Sequence, residues 1–140
     1  MAGNEARSRT ALGFRNTVVA EPFALGSHAM AGSNTYARIV LTTVSSPEEA
    51  DQLARTLVEE RLAACATLLP PVQSIYRWQG AVETATETLL LLKTAAEHLP
   101  ALEARLHALH SYQTPEFLVL CVEAGSPGYL DWLTANLRKP

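Results

Sequence analysis

Residues 74–80 read Ser74-Ile75-Tyr76-Arg77-Trp78-Gln79-Gly80, and this stretch decides the fold. β-branched and aromatic side chains suit a pleated, half-buried surface. Gln79-Gly80 supplies a tight turn in which glycine takes positive φ at no steric cost. The run therefore predicts one arm of a long β-hairpin, with the return strand through about Val82 to Lys93. Period-two alternation places Tyr76 and Trp78 on one face. Two large amphipathic aromatics side by side line a pocket or an interface.

Outward from the hairpin the pattern alternates between strands and helices. Arg38 to Val44 is a strand. Ser46-Pro47-Glu48-Glu49 then opens a helix, with Ser46 as N-cap, Pro47 at the first helical position and Glu49 closing a capping box. Ala50, Leu53, Ala54, Leu57, Val58 and Leu62 recur at helical spacing and form its apolar face. Ala64 to Leu69 returns as a strand, which Pro70-Pro71 interrupts because proline has no N–H to give a ladder. Beyond the hairpin a second helix starts either at Thr94, with Glu97 as its capping-box acid, or near Leu99 and Pro100. Leu99, Leu102, Leu106 and Leu109 are its expected buried stripe. Phe117 to Val122 is a strand, and Ser126-Pro127 caps a short terminal helix carrying Leu130, Leu133 and Leu137. The order βαββαβ plus a helix predicts an α+β fold, a ferredoxin-like sandwich with a long central hairpin.

The chain has 140 residues and is 48% apolar, which allows one domain with a packed core. Its net charge of −3 shows no basic stripe and argues against nucleic acid as partner. No apolar run is long enough to span a bilayer. Cys65 and Cys121 sit in apolar, strand-like surroundings and read as small core residues in a reducing, cytoplasmic setting. Residues 1–35 lack helical or strand periodicity and read as a flexible leader, whether natural tail, tag or transit segment; Gly26-Ser27-His28-Ala29-Met30 looks like a cloning scar. The folded domain is expected over 36–140. Leu89-Leu90-Leu91-Leu92 and Phe117 to Val122 are apolar on both strand faces, so something beyond the helices is expected to cover the sheet's second side.

Several blocks in order carry a family likeness: Glu59-Glu60-Arg61-Leu62-Ala63-Ala64-Cys65, the hairpin run, Lys93-Thr94, His110-Ser111-Tyr112-Gln113-Thr114-Pro115-Glu116, and Gly125-Ser126-Pro127-Gly128-Tyr129-Leu130-Asp131-Trp132-Leu133. Together, over roughly Arg38 to Leu137, the chain resembles the CutA family of divalent-cation tolerance proteins. The resemblance implies a compact, PII-like homotrimer whose sheets pack together and share strand edges. It also implies an intersubunit pocket drawn from Tyr76, Trp78, Lys93, His110, Tyr112 and Glu116. Some members are associated with copper through a first-strand cysteine and adjacent histidines ahead of the Tyr-x-x-Pro-Glu run. Here those positions hold Thr42 and Leu109, leaving His110 as the one imidazole of the set.

The chemistry these residues offer is binding rather than turnover. No phosphate loop, nucleophile elbow, zinc-type helix or Cys-x-x-Cys pair occurs. His110 is the candidate metal ligand, for a divalent cation such as Cu²⁺; its structural alternative is a cation at a helix C-terminus. His107, one turn earlier, more naturally faces water, and His98 reads as a surface residue at a helix start. Lys93 is either a strand-end charge or an ammonium at the mouth of a cleft, where Glu116 and the Tyr112 hydroxyl would meet it or a small anionic ligand. Tyr76, Trp78, Lys93, Tyr112 and Glu116 are thus the candidate ligand-binding set, or else a polar network and aromatic glue that fix the trimer. Glu59 and Glu60 close the first helix at its negative end, so one of them needs a cation, Arg61 or a neighbouring subunit's Arg77. The expected function is a metal-tolerance protein without enzymatic activity, with a metabolite-binding signalling trimer or a structural scaffold as alternatives.

Overall fold

A computed structural model describes residues 35–140; nearly all of the expected leader lies outside the described residues. Five strands and three helices follow in the order β1 (Ala37–Val44), α1 (Pro47–Glu59), β2 (Cys65–Leu68), β3 (Val72–Trp78), β4 (Ala81–Ala95), α2 (Leu99–Leu109), β5 (Leu118–Cys121) and α3 (Pro127–Ala135). The sheet is antiparallel with strand order β2-β4-β1-β5, and β3 pairs with the distal half of β4. One 15-residue strand, β4, therefore belongs both to the main sheet and to the projecting hairpin. At the hairpin tip Gln79 has φ 47° and Gly80 φ 81°, the two positive values a two-residue hairpin turn of the right twist requires.

Strand alternation separates two environments. The register sets Val40, Thr42 and Val44 beside Leu92, Leu90 and Thr88 on one face. There they join Ala50, Leu53, Leu57, Leu102 and Leu106 in the main core, under α1 and α2. Each large aliphatic buried this way contributes about 1.5–3 kcal/mol of transfer free energy. Ile39, Leu41 and Thr43 share the opposite face with Lys93, Leu91 and Leu89. Only one end of that second face is roofed, where Leu133 and Leu137 close over Ala37, Ala64 and Ala95.

The ends of α1 explain its length. The Ser46 hydroxyl accepts from the Glu49 N–H at 3.2 Å, and Pro47 occupies the first turn. The reciprocal half of the expected capping box is missing. The Glu49 carboxylate turns instead to the Ser45 hydroxyl (2.8 Å) and the Ser111 N–H (3.1 Å). At the C-terminus Arg61 adopts φ 57°, and the Leu62 and Arg61 N–H groups return to the Leu57 and Val58 carbonyls. This is a Schellman ending with arginine at the position glycine usually takes. Of the acid pair at this end, Glu60 finds a cation on α2 rather than at Arg61: Arg105 grips it with contacts of 2.8 to 3.0 Å.

Other expectations change once tertiary packing is present. Thr94 does not cap α2; it remains in β4, its hydroxyl donating to the Leu62 carbonyl at 2.7 Å. A single 3-10 turn, Ala96–His98, follows, and α2 starts at Leu99 with Pro100 in its first turn. Leu102 and Leu106 are fully buried, but Leu109 is exposed because the helix ends there and the chain turns away. His98 is buried rather than at the surface, held by the Arg138 carbonyl at 2.7 Å. Within the chain Cys121 is exposed and Cys65 half-buried, so neither is a core residue. For Cys121 the reason is its place on β5, an edge strand, while α1 packs over β4, β2 and β1. No helix among the described residues is long and apolar enough to cross a membrane.

Candidate functional site

Where the hairpin leaves the main sheet, the segment between α2 and β5 folds across it. Two side chains hold that segment. His110, at the C-cap of α2, accepts the Tyr112 N–H on Nδ1 (3.0 Å), so its other nitrogen must donate, and Nε2 reaches the Thr43 carbonyl at 2.8 Å. The Tyr112 hydroxyl donates to Glu87 Oε2 at 2.8 Å, and its ring leans on the His110 ring with centroids 4.8 Å apart. Helix α1, through Glu49, α2, through His110, and β4, through Glu87, thus fix one short loop. Burial alone would raise the Glu49 carboxyl; hydrogen bonds from Ser111 and Ser45 outweigh it and hold the group below the usual carboxylate range.

The loop and the hairpin enclose a cleft of about 570 Å³. Its walls come from Ser74, Tyr76 and Trp78 on β3, from Glu83 and Glu87 on β4, from Tyr112 to Glu116 on the loop, and from Thr43 on β1. A volume of this size suits a small molecule rather than a bare ion. Among the described residues three carboxylates line it and no lysine, arginine or histidine does. Glu87 is only 7% exposed. Burial, reinforced by the neighbouring Glu87, raises the Glu116 carboxyl above its ordinary value. Burial and the hydrogen bond to Glu87 likewise push the Tyr112 phenol well up, keeping it a donor.

The sequence-predicted residues divide into three groups. Tyr76, Trp78, Tyr112 and Glu116 meet in the cleft. Lys93 does not join them: its ammonium lies against Thr67 Oγ1 (2.8 Å) and Cys65 Sγ (3.5 Å), because its cross-strand partner is Cys65. It meets neither Glu116 nor Tyr112 within the chain. His110 stands behind the loop with both ring nitrogens committed, so it has no lone pair to give a metal while those bonds hold. His107 is exposed and packs edge-on to Phe117 at 6.3 Å. Among the described residues no three His, Cys, Asp or Glu side chains converge as a metal cage. The donor set in one chain therefore does not fit a copper site, which wants imidazole or thiolate.

Glu83 and Glu87 are the site residues that reading the sequence missed. Their signal was present: counting outward from the Gln79-Gly80 turn pairs Glu83 with Tyr76 and Glu87 with Val72, on the face that carries the aromatics.

Comparison with known proteins now decides the family. Residues 38–136 match the family described as CutA1 divalent ion tolerance protein. The chain belongs to the CutA1 family. The divalent-cation tolerance protein CutA of Thermus thermophilus is 50% identical over 98 residues, covering 70% of this chain and 95% of the relative. The Escherichia coli protein of the same name is 46% identical over 106 residues, covering 76% and 95%. Among solved structures, CutA from Xylella fastidiosa superposes with a TM-score of 0.72 at 43% identity, over 74% of this chain and 99% of that one.

Proposed function

We propose that the chain is a subunit of a cytoplasmic, ferredoxin-like homotrimer that acts in divalent-cation tolerance without catalysing a reaction, and that the acid-lined cleft is where cations bind, weakly. The observation that carries this reading is the composition of the cleft wall: Glu83, Glu87 and Glu116, with no cationic side chain of the described residues among them. Oxygen donors of this kind suit hard divalent ions held partly through water, rather than copper held tightly. The strand order β2-β4-β1-β5 with α1 and α2 packed on one face supports the ferredoxin-like reading. The trimer is supported by the unroofed second face and by β5, where Leu118 is 54% and Leu120 49% exposed in the isolated chain. His110, with both ring nitrogens occupied, is not arranged as a nucleophile or proton carrier.

Calorimetric titration of the full chain with Mn²⁺ and with Cu²⁺ tests the reading, beside Glu116→Gln and His110→Ala. The expected outcome is weak binding that Glu116→Gln reduces and His110→Ala leaves in place. Submicromolar Cu²⁺ binding abolished by His110→Ala would replace the carboxylate site with an imidazole one. No heat with either ion would shift attention to an anionic metabolite at Lys93, an ammonium with no carboxylate in ion-pair distance among the described residues.

A further inference from the structure

The cleft has three properties that a site for a single inorganic ion does not need. Its volume, about 570 Å³, exceeds the space of a hydrated ion's inner shell many times over. Its carboxylates are spread out: Glu83 and Glu87 stand four residues apart on one strand, roughly 13 Å along the backbone at 3.3 Å per residue. And it is walled by Tyr76 and Trp78, which are 41% and 46% exposed in the isolated chain. Glu87 adds a separate argument. It is a nine-tenths buried carboxyl whose one hydrogen bond within the described residues comes from a phenol, with no cationic side chain in ion-pair distance. A buried acid without a countercharge is costly, and the missing cation is one a ligand can supply.

We propose, resting on the cation-cleft reading above, that the ligand class of this cleft is a linear polyamine, its methylene chain lying along Tyr76 and Trp78 and its ammonium groups reaching Glu83, Glu87 and Glu116. Each part of the wall then has a partner. Ammonium groups donate charge-assisted hydrogen bonds to separated carboxylates, which a compact ion meets one at a time. The aromatic faces attract the cation and its polarised methylenes, and dehydrate them. Glu87 Oε1, which the Tyr112 bond to Oε2 leaves free, is an acceptor available to one ammonium.

The test is calorimetric titration of the full chain at low salt with spermidine, with MgCl₂ and 1,8-octanediol as comparison ligands. Spermidine is expected to bind at least tenfold more tightly than Mg²⁺, and octanediol not at all. Glu83→Gln and Glu116→Gln, neither of which touches the main core, are each expected to weaken spermidine about tenfold, the worth of one charge-assisted hydrogen bond. Trp78→Leu is expected to weaken it several-fold. Octanediol binding as well as spermidine, or spermidine binding indifferent to both glutamine variants, overturns the proposal. Binding of Mg²⁺ with spermidine no tighter overturns the polyamine class and leaves the cation cleft standing. No binding of either overturns both.

Discussion

The two faces of the central sheet are built from the same strands and the same kinds of residue, yet only one is finished by the described residues. On the helix-covered face, Val40, Val44, Leu90 and Leu92 meet α1 and α2, and all are fully buried. On the other, Ile39, Leu41, Leu89 and Leu91 are only partly covered, and Leu118 and Leu120 are open. The second face is divided by its two ends, since α3 roofs one and the Tyr112 to Glu116 loop walls the cleft at the other. A face that a chain completes by itself specifies the fold. A face that it leaves apolar and open, next to a cleft, is where association and ligand binding remain to be done.

That contrast can be broken at its strongest point first. Leu106→Ala empties a fully enclosed site beneath α2, and a loss of about 2–5 kcal/mol in denaturant-measured stability is expected. Leu120→Glu, on the open face, is expected to leave the far-ultraviolet circular dichroism of the chain intact and to turn a sedimenting trimer into monomer. If Leu120→Glu still sediments as the parent does, the second face is not the association surface. If the parent itself is a monomer at micromolar concentration, the open face is ordinary surface and the trimer reading fails.

At the cleft end, the effect expected is smaller. Tyr112→Phe removes the one donor to the Glu87 carboxyl among the described residues and leaves a buried acid unsatisfied, for about 1–3 kcal/mol. The double variant Tyr112→Phe, Glu87→Met removes both polar partners and is expected to recover much of that stability, as matched apolar pairs do. A double variant as unstable as the single one would show that Tyr112 supports the loop by packing rather than through Glu87.

The same contrast governs what was legible in the sequence. Local chemistry was readable: Ser46-Pro47 starts α1, Gln79-Gly80 turns the hairpin, and Leu102 and Leu106 face the core. The doubly apolar runs also pointed to a sheet that needs covering on both sides. The errors sit where a residue's fate depends on which strand or helix lies beside it. Of the two starts open for α2 the one at Leu99 holds, because Thr94 stays in β4 and meets the Leu62 carbonyl across the fold; His98 looked exposed until the C-terminal segment closed over it. Lys93 was expected near Glu116, but the strand next to it is β2, so it faces Cys65 and Thr67. Of the cleft, the aromatics and the Tyr112 to Glu116 run stood out by type, whereas Glu83 and Glu87 are visible only to a reader who follows the hairpin register.

The finest probe of the comparison is the pH dependence of the two carboxyls that flank the loop. Glu49, on the helix side, has its proton affinity lowered: hydrogen bonds from Ser111 and Ser45 overcome its burial. Its folded pKa lies below its unfolded one, so its contribution to stability is present above the ordinary glutamate range and is lost as pH falls through the folded value. Glu116, in the cleft, is shifted the opposite way by burial and by Glu87. The folded state then holds more protons than the unfolded state between the ordinary glutamate value and the raised one, and stability falls as pH rises through that window. Glu116→Gln is therefore expected to match the parent below the ordinary glutamate range and to exceed it above the raised value, by the smallest margin of the variants considered. Glu49→Gln should do the reverse, matching the parent only at the acid end. Saturating spermidine should narrow the gap between parent and Glu116→Gln at neutral pH, since an ammonium beside Glu116 favours the carboxylate and draws the folded pKa back down. A gap that spermidine leaves unchanged would mean that the ligand does not approach Glu116. The burden of the polyamine contact would then fall on Glu83 and Glu87, on the β4 wall of the cleft.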